Sequence, residues 1–364
     1  VTITGTGALN LVAGSGGVTY FQPPSTIANV AISGGNNALY FTNGTSVNAA
    51  TGGGNDVIFT NGSGTINGGG GTNTIVGGAA SDTNLIILSA GTGDLIATGN
   101  GTAAVGEFGS GAVLFGGSGA DSFYDLGKNT TIAGGTGSDT IFGGTGGVYF
   151  LSTGTSIFVG SVAPAASDII VGLGGGTETV FGGTSDVIFA GTSSLTFVSQ
   201  GGSAIVNGGA GNDTLFGTAG SSILYAGASG PAMLIAGSGN ETLNASFSSA
   251  GNTIFGGSGS ASLIGGTGAD TIIAGTGSNT VTGGAGADLF AFINGLSGGA
   301  EMVTDFSASS GDSIVLKGYG ASEVANALAT AQTAAGNTTI TLADNTKVTF
   351  QGVTNLNSGN FKGL

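Results

Sequence analysis

Neither cysteine, histidine, tryptophan nor arginine occurs in this chain, and its only basic side chains are Lys128, Lys317, Lys347 and Lys362. Without His or Cys there is no Ser-His-Asp triad, no Cys-His dyad and no ordinary zinc site. The lack of Cys also suits a protein exported unfolded, with no disulfide chemistry to complete. Four basic groups against 19 acids leave a formal charge of −15. Nucleic acid and anionic membrane surfaces are therefore poor partners, because both require basic neutralising groups, and cations are the natural counterpart. No apolar run approaches the roughly eighteen residues of a membrane helix. The opening VTITGTGALNLVAG lacks the charged and apolar regions of a signal peptide, and a start at Val1 instead of Met reads as a processed chain or a fragment. With only 4 Pro and no strict third-residue Gly, collagen is excluded.

What is abundant is glycine, 79 of 364 residues, in a chain that is still 40% hydrophobic. Glycine at this density disfavours helix, yet the chain is too apolar for a solvated linker. A β architecture with many tight turns remains. Apolar residues recur at every ninth position through Ile87, Ile96, Val105, Leu114, Phe123, Ile132, Ile141 and Phe150. The period returns at Val206, Leu215 and Leu224, again at Ile254, Leu263, Ile272, Val281 and Phe290, and more loosely at Ile58, Ile66 and Ile75. Each unit supplies a short strand and a Gly-rich turn, so two units make one coil with a strand on each side. Stacked coils bury the apolar positions in a continuous narrow core. The fold class is all-β: a β-solenoid, or parallel β-roll, of two nonapeptides per coil over residues 1–290, with a dozen or so coils. Irregular insertions are expected near 20–35, which carries Pro23 and Pro24, and near 161–168, which carries Pro164.

Five units share the pattern GG-x-G-x-D-x-U-x, where U is a large apolar residue: those of Asp121, Asp139, Asp213, Asp270 and Asp288. The pattern resembles the calcium-binding nonapeptide of RTX (hemolysin-type) repeat proteins. In that family each calcium ion sits between turns on the same edge of adjacent coils, where turn carbonyls and the Asp carboxylate supply hard oxygen ligands. The resemblance implies calcium at two pairs spaced by one coil: Asp121 with Asp139, including Gly116, Gly119, Gly134 and Gly137, and Asp270 with Asp288, including Gly265, Gly268, Gly283 and Gly286. Asp168 and Asp186 have the same spacing, but their turns lack the full glycine pattern. Asp213 stands alone and, with Asp56 and Asp94, reads first as a solvated turn acid. Most units replace the acid, by Asn73, Thr130, Val148, Ser222, Ala261 or Asn279, so calcium is expected as local reinforcement and not as a continuous ladder.

Beyond residue 290 the composition shifts. SEVANALATAQTAAGN reads as a short helix capped by Ser322 and ended by Gly336, and TTITLADNTKVTFQGV as a hairpin around Asp344 and Asn345. This region, 291–364, is expected to cap the solenoid. Asp305, Phe306, Asp312, Ile314, Leu316, Phe350, Gly352, Val353 and Phe361 resemble the ends of RTX proteins exported by type I secretion, which implies a secretion signal there. Paired carboxylates can hydrolyse glycosides, but here their spacing already has a structural explanation. The many G-x-G-x-x-G matches come with glycine content and lack a β-α-β unit. The sequence therefore reads as a non-enzymatic, secreted or cell-surface structural protein. Its partners would be calcium ions and further copies of itself, with no nucleic acid and no membrane insertion. The opening strand, with no polar helix ahead of it, suggests an uncovered coil edge and polymerisation. Two alternatives stand beside this reading: an adhesin or ice-binding module that contacts cell-surface polysaccharide or water, and the secretion tail of a larger hydrolase.

Overall fold

Glycine-rich turns cut the chain so often that its strands are very short, and in a three-residue strand only the middle side chain points inward. Thr131–Ala133 and Thr140–Phe142 show this: Ile132 and Ile141 are fully buried while their neighbours are not. The computed structural model describes residues 2–4, 9–22, 27–42, 44–78, 84–161 and 167–363. It shows an all-β parallel β-solenoid of about 16 turns. The coils beyond the dozen or so read from the sequence include those near the N-terminus, where equivalent residues such as Asn37 and Asp56 are 19 apart, so that a nine-residue search finds them only loosely.

Two compact units divide the chain, Val1–Thr179 and Val180–Leu364. In the first, one parallel sheet carries the inward row Tyr20, Leu39, Ile58, Ile75, Ile96, Leu114, Ile132, Tyr149 and Ile170, and the facing sheet carries Ile66, Ile87, Val105, Phe123, Ile141 and Phe158. In the second, Ile188, Val206, Leu224, Leu243, Leu263 and Val281 face Phe197, Leu215, Leu234, Ile254, Ile272 and Phe290. The expected core positions are inward with one exception. Thr131 pairs with Val148, one residue short of eighteen, so Tyr149 takes the buried place and Phe150 turns to the outer face. The Tyr149 hydroxyl is satisfied inside, donating to Asp125 Oδ2 at 2.7 Å and accepting from the Gly144 N–H.

In the segment 20–35, Thr19–Gln22 and Ile27–Ile32 are regular ladder strands. Residues 23–26, and residues 162–166 of the expected loop at 161–168, lie outside the described residues. The parallel ladder continues past residue 290 through Ala300–Val303 and Ser313–Lys317, because Val303 and Ile314 restore the buried inward position. Lys347–Phe350 then adds in parallel to Ala300–Val303 and begins an antiparallel meander with Asn337–Thr341 and Gln332–Ala334. The hairpin around Asp344 and Asn345 is as read from sequence, but the helix is shorter. It spans Glu323–Ala329, and the Ser322 side chain makes no capping bond. Gly336 does not end it; with φ of 51° and 82°, Ala335 and Gly336 form the tight turn between the first two meander strands. The two left-handed residues are what such a two-residue connection demands.

Candidate metal centre

Each motif Asp lies two residues before an inward core residue: Asp121 before Phe123, Asp139 before Ile141, Asp270 before Ile272, Asp288 before Phe290. Residues i and i+2 of an extended chain share a face, so the carboxylates turn inward at the end of the core. All four are at most 2% exposed. The two eighteen-residue pairs are brought together. Asp139 Oδ1 accepts the Asp121 backbone N–H at 2.8 Å, and Asp288 Oδ1 accepts that of Asp270 at 2.8 Å.

The second oxygens differ. Asp121 Oδ2 takes the Thr98 hydroxyl and Asp270 Oδ2 the Gly266 N–H, whereas Asp139 Oδ2 and Asp288 Oδ2 are buried with no hydrogen-bond partner. Burial, opposed by the backbone N–H and, for Asp139, by the Ser152 side chain, and reinforced by neighbouring acids, pushes Asp139 and Asp288 up to about 6. Burial likewise raises Asp121, against the bonds from Thr98, Ala103 and Gly117. A carboxylate that is buried, short of donors and beside another carboxylate is one that a cation stabilises.

The glycines make room for this arrangement. A Cβ on Gly134 would lie 2.6 Å from Asp139 Oδ2, and one on Gly283 2.6 Å from Asp288 Oδ2. A Cβ on Gly265 would fall between Asp270 Oδ2, at 2.6 Å, and the Gly283 carbonyl, and one on Gly116 against the Gly134 carbonyl and near Asp121 Oδ2. Gly119, Gly137, Gly268 and Gly286 each pass the carbonyl of the matching turn in the preceding coil too closely for any side chain. Carbonyl and carboxylate oxygens thus converge where methyl groups are missing. Among the described residues no group of three or more acidic side chains is placed to hold one metal ion, so the donor set would be one or two carboxylates and backbone carbonyls. That all-oxygen set fits calcium.

The remaining sequence candidates occupy the same kind of position. Asp213 is buried and pushed up to about 6 by burial, with Oδ1 on the Leu195 N–H. The ladder places Leu195 before it and Ala232 after it, so it has no acidic neighbour. Asp168 is buried in the first unit and accepts the Gly147 N–H at 2.8 Å; Asp186 is buried in the second and accepts the Gly183 N–H. Gly147, and not Val148, therefore holds the turn position in its coil.

Asp56 and Asp94 are not solvated turn acids. Both are buried, each two residues before a core Ile, and accept the N–H of Asn37 and Asn73. Asp312 extends the Asp270–Asp288 run by accepting the Asp288 N–H at 3.0 Å. The signal that finds these is an acid two residues before a core position, whatever the glycines ahead of it. Asp305 accepts the N–H groups of Gly283 and Gly284, and Phe306 packs edge-on between Phe290 and Phe350. The terminal motif residues thus close the last coils.

The family model described as RTX calcium-binding nonapeptide repeat (4 copies) matches residues 115–147, 201–229 and 255–290. These segments contain all five motif acids, from Asp121 to Asp288. No curated protein matches the chain.

Proposed function

Because the chain carries RTX calcium-binding nonapeptide repeats, we propose that this calcium-binding structural repeat protein works outside the cell as a scaffold that packs against further copies of itself in a surface layer, matrix or filament. The observation that supports this reading is one outer face of the first unit. Phe21, Tyr40, Phe59, Val76, Ala97, Phe115, Ala133, Phe150 and Val171 form one outward row, strand by strand. Beside it runs Thr19, Ala38, Val57, Thr74, Leu95, Val113, Thr131, Val148 and Ile169, again without a charge.

At the usual strand spacing this face is ~40 Å long. Phe21, Phe59, Leu95, Phe115 and Ile169 are exposed on it, and Phe21, Tyr40 and Phe59 stack with centroids 4.5 and 5.3 Å apart. A neutral, apolar face on a chain of charge −15 suits a partner with the same neutral face, because there the acids do not repel. Export fits the RTX repeats, and no helix among the described residues is long and apolar enough to cross a membrane. The role needs no catalysis.

The test is sedimentation of the calcium-loaded chain beside Phe59→Lys/Phe115→Lys. Large assemblies that the variant dissolves while keeping its β circular dichroism support the reading. A monomer at every concentration overturns it.

A second reading, a sugar- or ice-contacting module, has one observation in its favour. Thr196, Thr214, Thr253 and Thr271 share an outward row of the second unit. Met233 interrupts the row and Leu289 follows it.

A further inference from the structure

Two asparagines, one in each unit, make the same set of contacts at a position that elsewhere carries an acid. Asn37 Oδ1 accepts the Val18 N–H at 3.0 Å; its Nδ2 donates to the Gly35 carbonyl at 2.8 Å and to Asp56 Oδ1 at 2.7 Å. Asn252 Oδ1 accepts the Ala232 N–H at 3.0 Å; its Nδ2 donates to the Ala250 carbonyl at 2.9 Å and to Asp270 Oδ1 at 3.0 Å. In both, the residue's own backbone N–H reaches the same Asp oxygen, at 2.9 and 2.7 Å. Asn37 is 3% exposed and Asn252 2%.

Compare the next coil step. Between Asp270 and Asp288 the backbone bond is repeated, but the side chain facing Asp288 Oδ1 is a carboxylate with no N–H to give, so no side chain donates across that step. The second oxygen is buried without a partner in Asp56 and Asp288 alike, so it is the bond to Oδ1 that the amide adds. The amide Nδ2 of Asn252 carries partial positive charge and lies between a turn carbonyl and the carboxylate of the following coil. Those are the hard oxygens by which a calcium ion would join two turns.

We infer that Asn37 and Asn252 are built-in substitutes for calcium: their side-chain amides bridge the turn carbonyl and the next carboxylate, so these two coil steps close without an ion. The inference rests on calcium binding by the acidic steps and is independent of self-assembly. Asn252 then sets the boundary of the ion-dependent run in its unit. The step from Asn252 to Asp270 holds without metal, and the steps from Asp270 to Asp288 and from Asp288 to Asp312 are the ones that metal completes. A chain laid out in this way keeps closed coils beside its calcium sites before the ion arrives, which limits how much of it must fold on binding.

The test compares Asn252→Asp and Asn252→Ala with the unaltered full chain, reading calcium stoichiometry by calorimetry and melting temperature in calcium and in chelator. Asn252→Asp turns the step into two facing carboxylates. The expected result is one additional calcium per chain, a lower melting temperature in chelator, and recovery of most of that loss when calcium is added. Asn252→Ala should melt lower in both conditions by a similar amount and bind no additional ion, which separates loss of the amide from creation of a site. Unchanged stoichiometry in Asn252→Asp, or a loss that calcium does not recover and that matches Asn252→Ala, overturns the inference.

Discussion

The backbone N–H of Asp270 donates to Oδ1 of Asp288 across one coil, at 2.8 Å, while the other oxygen of Asp288 is buried without a partner. One carboxylate thus does two jobs: its first oxygen ties the coils together, and its second is available to a cation. Substitutions separate them. Asp288→Asn keeps an acceptor for the Asp270 N–H and removes the buried charge. It should melt at or above the unaltered chain in chelator and lose part of the calcium-induced gain. Asp288→Ala leaves the Asp270 N–H unpaired and should cost about 1–3 kcal/mol in chelator as well. Thermal melts of both variants in the two conditions check this.

Acid should stabilise the metal-free protein, against the usual trend. The carboxyls of Asp139, Asp213 and Asp288 are raised to about 6 and Glu301 to about 8, chiefly by burial. Between the ordinary carboxylate range and these raised values the folded chain holds more protons than the unfolded one, so stability falls as pH rises through that window. In chelator, the melting temperature should therefore be higher near pH 5 than near pH 7.5. With calcium present, protons compete for the same oxygens, and affinity should weaken below about pH 6. A chelated protein that melts lower in acid would contradict the buried, metal-free carboxylates.

The motif glycines should tolerate no methyl group. Gly283→Ala sets a Cβ 2.6 Å from Asp288 Oδ2 and 2.9 Å from the Phe290 ring. Overpacking of this kind costs on the order of 1–3 kcal/mol, and here it also displaces the carboxylate. Calcium affinity should fall together with the melting temperature. Gly53→Ala is the control, because nothing lies within 4 Å of a Cβ there, and it should leave both unchanged.

Core truncation should cost far more than its small scale suggests. Phe123 is fully buried between the inward residues of neighbouring coils, and Phe123→Ala should cost about 3–5 kcal/mol. Phe142 lies one strand position toward the outer face, is exposed and stacks on Tyr124 at 4.9 Å, so Phe142→Ala removes little buried packing. It should cost less than half as much. Denaturant melts of the two variants check the difference.

The inward rows could be read from sequence because one apolar residue per nonapeptide is all that a three-residue strand can bury, so spacing alone identified Ile132, Leu215 and Ile272. The same spacing misplaced Phe150, since a coil one residue short shifts the inward position and the inward Tyr149 is itself amphipathic. The paired acids were legible from their glycines. Asp56 and Asp94 were not, because a turn acid reads as facing solvent when its place two residues before a core Ile turns it inward, and Asp312 was legible only as part of the terminal motif, not as a further step of the acidic run. The ends of the helix were obscured by composition. TAQTAAGN suits a helix by propensity, but the tight turn at Ala335 and Gly336 and pairing with Asn337–Thr341 draw its second half into the sheet.

Calorimetric titration of calcium into the chelated chain near pH 7.5 tests most directly whether the buried acidic steps hold the ion. The unaltered chain should take up calcium at sub-millimolar concentration with a rise in melting temperature, magnesium should substitute poorly, and a variant carrying Asp121→Ala, Asp139→Ala, Asp270→Ala and Asp288→Ala should lose most of the bound ions while Asp213→Ala loses at most one. No calcium uptake at millimolar concentration, or an unchanged number of ions in the fourfold variant, would contradict it.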